Sequence, residues 1–140
     1  MVFLEECIFC RIANGGIPRE NVVYEDADAM AFLDINPASA GHTLVIPKKH
    51  FRDIMEIPDA ELSKLMSAVK KVARAVKKGT GADGINVIQN NGEAAGQAVH
   101  HIHFHIIPRN DGDGITLCNQ RHKYLGNEMQ ATAEKIRRSF

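Results

Sequence analysis

The stretch His100-His101-Ile102-His103-Phe104-His105-Ile106-Ile107, with Pro108-Arg109 directly after it, decides how this chain is read. Four of the seven histidines lie between positions 100 and 105, interleaved with bulky apolar side chains that favour strands. Side chains on a strand alternate between its two faces. The spacing therefore predicts His101, His103 and His105 on one face, with Ile102, Phe104 and Ile106 buried behind them. His100 falls on the apolar side and reads as a rim residue.

Imidazole titrates close to neutral pH, and either ring nitrogen can be fixed by a neighbour. Three such rings on one face fit three descriptions. They are ligands of a catalytic zinc, a nucleophile with flanking helpers, or an exposed strand face without chemistry. In the second, a neutral imidazole attacks phosphorus and forms a phosphoramidate, dividing one hard displacement into two easier ones. One neighbour fixes its tautomer and another donates to the phosphate. The loop from Asn90 to Gln97, with Gly92 and Gly96, lies just upstream and offers backbone N–H groups to the same phosphate. The Cys7-x-x-Cys10 pair is half a zinc site. It also fits a redox dithiol or two buried thiols, and histidines elsewhere can complete a Cys2His2 set.

Outward from the histidines, Gly84 to Ile88 reads as a strand that pairs antiparallel with the histidine run. Val22-Val23-Tyr24 and Ala29 to Leu33 read as a hairpin around Glu25 to Asp28, and His42 to Ile46 as a further strand closed by Pro47. Cys7 to Ala13 reads as a short helix broken by Asn14-Gly15-Gly16. A long helix starts near Pro58, read as its first residue, and stops at Gly79 and Gly81. It buries a stripe of Leu62, Leu65, Met66, Val69, Val72, Ala73 and Val76. A C-terminal helix spans Glu128 to Arg138, with Asn127 as N-cap and Gln130 placed for a capping box. The expected fold is α+β: a mostly antiparallel sheet of five strands, one long helix and a C-terminal helix. One domain covers residues 1–140, with the motifs between 7 and 109 and an extension over 110–140.

The chain has 140 residues, enough for one domain with a real core. Lys plus Arg and Asp plus Glu each number 17, so no global field draws it to nucleic acid or to a membrane. No run approaches a membrane span, and Glu5 and Glu6 occupy the place of a signal peptide's apolar stretch. Three cysteines do not close a disulfide framework, which points to a reducing, cytoplasmic setting. Cys118 and His122 read as having no functional role.

His101-Ile102-His103-Phe104-His105-Ile106-Ile107 resembles the signature of the histidine triad, or HIT, family of nucleotidyl hydrolases and transferases. Cys7-Ile8-Phe9-Cys10, Phe32-Leu33-Asp34-Ile35, the segment Gly41 to His50 and the segment Asn90 to Gln97 join the resemblance, in order and spacing. It implies an antiparallel sheet with a long helix, usually as a homodimer whose sheets join. It also implies cleavage at the α-phosphate of a purine nucleotide such as AMP joined to an amine, a nucleotide or a similar group.

By resemblance, His103 is the nucleophile, His105 bonds the phosphate, and the His101 carbonyl orients the His103 ring. Asp34 holds the ribose, with Phe32, Leu33 and Ile35 near the base. Asn90, Gly96, Gln97, Ala98 and Val99 surround the phosphates. Zinc-bearing members imply a structural zinc on Cys7, Cys10, His50 and His101, and magnesium is expected only with polyphosphate substrates. Ala98 departs from the serine or threonine usual in phosphoramidase branches, which weakens proton delivery to a departing amine. Two competing expectations are a nucleotide-binding module that acts through a protein partner and a zinc hydrolase using the histidines as ligands.

Overall fold

The computed structural model describes residues 6–117 and 121–140; Cys118 and Glu5 lie outside them. Five antiparallel strands form one sheet in the order β1-β2-β3-β5-β4. They are β1 (Val22–Glu25), β2 (Ala29–Leu33), β3 (Thr43–Pro47), β4 (Gly84–Gln89) and β5 (Phe104–Arg109). The helices are α1 (Ile8–Ala13), α2 (Asp59–Thr80) and α3 (Glu128–Arg137). This is the expected α+β architecture.

The hairpin between β1 and β2 forms because Asp26 caps it: its Oδ1 accepts from the N–H groups of Asp28 and Ala29 at 2.7 and 2.8 Å. In β2 and β3 both faces are apolar, so the sheet is covered twice. α2 lies on one face, where Ala29, Ala31, Val45, Ile102, Phe104 and Ile106 meet Leu65, Ala68, Val69, Val72 and Val76. Burying each of the larger of these side chains contributes about 1.5–3 kcal/mol. On the other face Met30, Phe32, Leu44 and Ile46 pack against Phe9 and Ile12 of α1.

Several local expectations shift. Pro58 is the N-cap of α2, extended at φ −64° and ψ 148°, and Asp59 begins the helix. Gly79 continues the helix, and only Gly81, at φ 69°, turns the chain left-handed and stops it. Ala68 belongs to the buried stripe, whereas Met66 lies at its margin with 40% exposure. The capping box at Asn127 does not form, since Asn127 makes no side-chain cap. Glu128 takes that place, accepting from the Leu125 N–H and facing His122 Nε2 at 3.1 Å. No residue of α3 is buried.

The histidine run is only partly strand, because β5 begins at Phe104. Upstream, the backbone groups are engaged outside the ladder. Ile102 N–H donates to Phe51 O at 2.7 Å, and His101 O accepts from the His103 ring at 2.7 Å. The alternation of faces nevertheless survives through Ile102, Phe104 and Ile106. Among the described residues no helix is long and apolar enough to cross a membrane.

Candidate active site and metal centre

Antiparallel pairing sets which side chains share a face. Leu44 lies opposite His105, and Thr43 lies opposite Ile106. His105 therefore stands on the α1 side of the sheet with Leu44, Phe32 and Met30. Phe9 of α1 packs edge-on against three rings, with centroids 5.0 Å from His103, 5.6 Å from Phe32 and 5.9 Å from His101. Phe9 and Phe32 form an apolar wall beside His101 and His103.

The three triad histidines have three different destinations. His101 is fully buried and turns away toward the N-terminus. Its Nε2 lies 2.9 Å from Pro47 O, which can only accept, so Nε2 carries the proton and Nδ1 presents a lone pair. That Nδ1 lies 3.1 Å from His50 Nδ1, 3.5 Å from Cys7 Sγ and 3.6 Å from Cys10 Sγ. Cys10 Sγ is 3.4 Å from His50 Nδ1, and all four ligand atoms lie within 4.8 Å of one another. Two thiols at the start of α1 and two imidazole nitrogens thus converge on one point. This donor set suits tetrahedral zinc. Burial pushes His101 down to about 4, and it also holds His50 below its ordinary value, which keeps both rings neutral and ready to ligate.

His103 donates from Nδ1 to the carbonyl of His101 at 2.7 Å. Its proton is thereby fixed on Nδ1, and Nε2 is left with a lone pair. Burial lowers its basicity as well, so the ring is neutral at pH 7.

His105 has the opposite tautomer, and the cause is His42, a residue that the sequence reading passed over. Ala38 N–H donates to His42 Nδ1 at 2.9 Å, so the His42 proton sits on Nε2. That Nε2 points at His105 Nδ1 at 3.0 Å, with Asp34 Oδ2 further off at 3.6 Å. His105 Nδ1 therefore accepts, and its Nε2 carries a proton. Burial pushes His105 down to about 4. The His103 and His105 rings are 5.1 Å apart between centroids. A lone pair and an N–H donor thus stand side by side. The signal for His42 was its place two residues before Leu44, immediately ahead of the strand that pairs with the histidine run.

Asp34 follows β2 on the same side as Phe32. Its Oδ1 accepts from Asn36 N–H at 2.8 Å, which shapes the turn and leaves Oδ2 toward His42. Ile35 is 87% exposed beside it. Leu33 lies on the other face. It pairs with Thr43 and so projects to the α2 face, where it lines an apolar groove with Val23, Val72 and Val76. Alternation along β2 sends the Phe32 and Leu33 side chains to opposite faces of the sheet.

The loop after β4 approaches from the other side. Gly92 and Gly96 take left-handed backbone at φ 87° and 93°, and Val99 packs on the α1-side core. Gln97 is turned inward, only 2% exposed, with its amide bonded to Gly92, Arg52 and Val99. His100 is half-exposed, 3.6 Å from Glu93.

A family model described as "HIT domain" matches residues 17–112. The chain belongs to the HIT family. An uncharacterized HIT-like protein of Methanocaldococcus jannaschii is 57% identical over 108 residues, covering 77% of this chain and 82% of that protein. An adenosine 5'-monophosphoramidase of Schizosaccharomyces pombe is 42% identical over 131 residues, covering 93% and 95%. A zinc-bound histidine triad protein from Mycobacterium smegmatis has a crystal structure that superposes with a TM-score of 0.74, at 35% identity, covering 96% of this chain and 98% of that one. HIT membership carries nucleotide hydrolysis as its coarse class of activity. The Cys7, Cys10, His50 and His101 cluster is compatible with zinc.

Proposed function

We propose that this protein is a nucleotidyl hydrolase that cleaves at the α-phosphate of a purine nucleotide bearing a leaving group, by double displacement through His103. The observation that carries this reading is the opposite proton placement on two adjacent rings. His103 Nε2 has the lone pair a nucleophile needs, and His105 Nε2 has the proton a phosphate oxygen needs.

In the first step His103 Nε2 attacks the α-phosphorus, a P–N bond forms, and the bond to the leaving group breaks with its electron pair leaving on that group. His105 donates to a non-bridging oxygen as charge accumulates there. The His101 carbonyl accepts the Nδ1–H of His103, whose ring becomes cationic, and so stabilises it. In the second step water attacks the same phosphorus and gives up a proton to solvent, the P–N bond breaks with its electron pair returning to Nε2, and the nucleoside monophosphate departs with His103 restored.

Asp34 Oδ2 is suited to the ribose hydroxyls, with Phe32 and the exposed Ile35 on the base side. The Asn90 to Val99 loop is suited to the phosphates, with Gln97 shaping it from within. Ala98 brings no hydroxyl to the leaving group, which favours groups that depart without a proton.

Cys7, Cys10, His50 and His101 would hold a structural zinc. It would supply a fixed, four-coordinate crosslink between α1, the end of β3 and the histidine run. His103 and His105 point elsewhere and are not part of that ligand set. We further place the protein in a reducing cytoplasm as a homodimer. Support for the dimer is β4, which is an edge of the sheet with Val87 46% exposed.

The deciding experiment is turnover on adenosine phosphoramidates, aminoacyl-adenylates and dinucleoside polyphosphates, with rapid acid-free quenching and mass mapping. A nucleotidyl adduct on the His103 peptide supports the reading. Full turnover by His103→Ala would overturn it.

A further inference from the structure

We infer that the segment from His50 to Ile54 is a strut between the metal cluster and the phosphate loop, with Gln97 as the positioning residue at the joint, so that metal occupancy sets nucleotide affinity. The inference rests on the nucleotide reading given above.

Gln97 reaches three separate pieces of chain. Its Oε1 accepts from Gly92 N–H at 2.8 Å, and its Nε2 donates to Arg52 O at 2.7 Å and to Val99 O at 3.1 Å. Both amide protons are thus engaged inside the protein, and neither remains for a phosphate. Its main-chain N–H also closes the loop onto Gly92 O at 3.1 Å. Gln97 therefore fixes the loop's shape and leaves the outward backbone groups to meet the nucleotide.

Two more bonds hold the segment, one to the phosphate loop and one to the histidine run. Ile54 N–H donates to Asn91 Oδ1 at 2.8 Å, and Asn91 is itself locked to Gln89 by amide bonds of 2.6 and 2.7 Å. Ile102 N–H donates to Phe51 O at 2.7 Å. The segment is stiffened internally by Asp53, 6% exposed, whose Oδ1 accepts from the N–H groups of Met55 and Glu56.

The metal cluster stands at the head of this strut. His50 immediately precedes Phe51, and His101 immediately precedes Ile102, so the Phe51–Ile102 bond is flanked by two of the four converging ligands. The His50 and His101 Nδ1 atoms already lie 3.1 Å apart, and if both held one cation they would fix the two ends of that bond. From there the path to the phosphates is one residue to Arg52 and one hydrogen bond to Gln97. Polar contacts of this kind are directional, so a displaced carbonyl at Arg52 costs Gln97 its geometry.

The test is AMP affinity by calorimetry on zinc-loaded and chelator-stripped full-length protein, with melting curves on each. In the wild type, stripping should weaken AMP by about fivefold or more, and saturating AMP should raise zinc affinity by the same factor. Gln97→Ala should bind AMP weakly even when zinc-loaded, and stripping should change it by no more than about twofold, the limit expected of uncoupled sites. Should Gln97→Ala not fold, Asn91→Ala removes the neighbouring stitch and should show reduced zinc dependence in the same assay. Equal AMP affinity in stripped and loaded wild type would overturn the strut and leave the nucleotide reading intact. So would undiminished zinc dependence in the variant, or global unfolding on stripping. No AMP binding by loaded wild type would instead defeat the nucleotide reading, and the strut with it.

Discussion

Two polar clusters flank the histidine run, and they have similar ingredients and opposite bonding. In the first, Cys7, Cys10, His50 and His101 bring four donor atoms within 4.8 Å of one another. In the second, Asp34, His42 and His105 also lie within ligand distance of one another. There each proton has a destination: Ala38 N–H to His42, and His42 Nε2–H to His105. The first cluster is compatible with zinc, and the second is a hydrogen-bond relay that sets the His105 tautomer. Residue type alone does not separate a metal site from a proton-placing one. The direction of each N–H does.

The largest expected effect is loss of the nucleophile, whose ring stands beside the second cluster, 5.1 Å from His105 between centroids. His103→Ala should lower kcat by about 10⁴-fold or more while AMP binding and the melting temperature are retained, as steady-state kinetics and calorimetry would report. Next comes His42→Ala, which frees His105 Nδ1 to take the proton and so misplaces the donor. A fall in kcat of about 10²–10³-fold is expected, with KM changed much less. A similar fall after Cys10→Ser would erase the distinction between the clusters.

Cys10→Ser should instead act on stability, lowering the melting temperature of protein purified with zinc by about 5–10 °C. Elemental analysis should find one zinc per wild-type chain. Acid offers a gentler discrimination. Burial holds His101 and His105 near 4 in the folded chain, below the 6.5 of an unperturbed histidine. Between those values the unfolded chain binds more protons than the folded one. The stabilisation is therefore complete above about pH 6.5 and is lost as pH falls toward 4. Denaturation midpoints across that window should decline in wild type and decline less in His105→Asn. The smallest effect concerns the base side: Leu33→Ala should leave AMP affinity within about twofold, whereas Ile35→Ala should weaken it.

Much of this arrangement was legible in the residues. The five strands and the long helix follow from pattern and spacing, whereas the grouping of Cys7, Cys10, His50 and His101 comes from the resemblance to zinc-bearing HIT members, and the structure brings the four together. What the residues do not reveal has a common cause. The resemblance groups Leu33 with Phe32, and strand pairing sends their side chains to opposite faces. It also groups Gln97 with the phosphate loop, and the Gln97 amide is drawn inward by carbonyls of Arg52 and Val99 that no local pattern announces. His42 was passed over because its partners, Ala38 and His105, are brought to it by a turn and by strand pairing. Long-range register decides such cases, and it is not written in any one segment.

The central claim is that neighbouring histidines have opposite tautomers, and long-range proton–nitrogen NMR on ¹⁵N-labelled protein at neutral pH reads it directly. His103 should be protonated on Nδ1 and His105 on Nε2, with the His105 assignment lost in His42→Ala. Finding both rings in the same tautomer, or His105 unchanged without His42, would contradict the account.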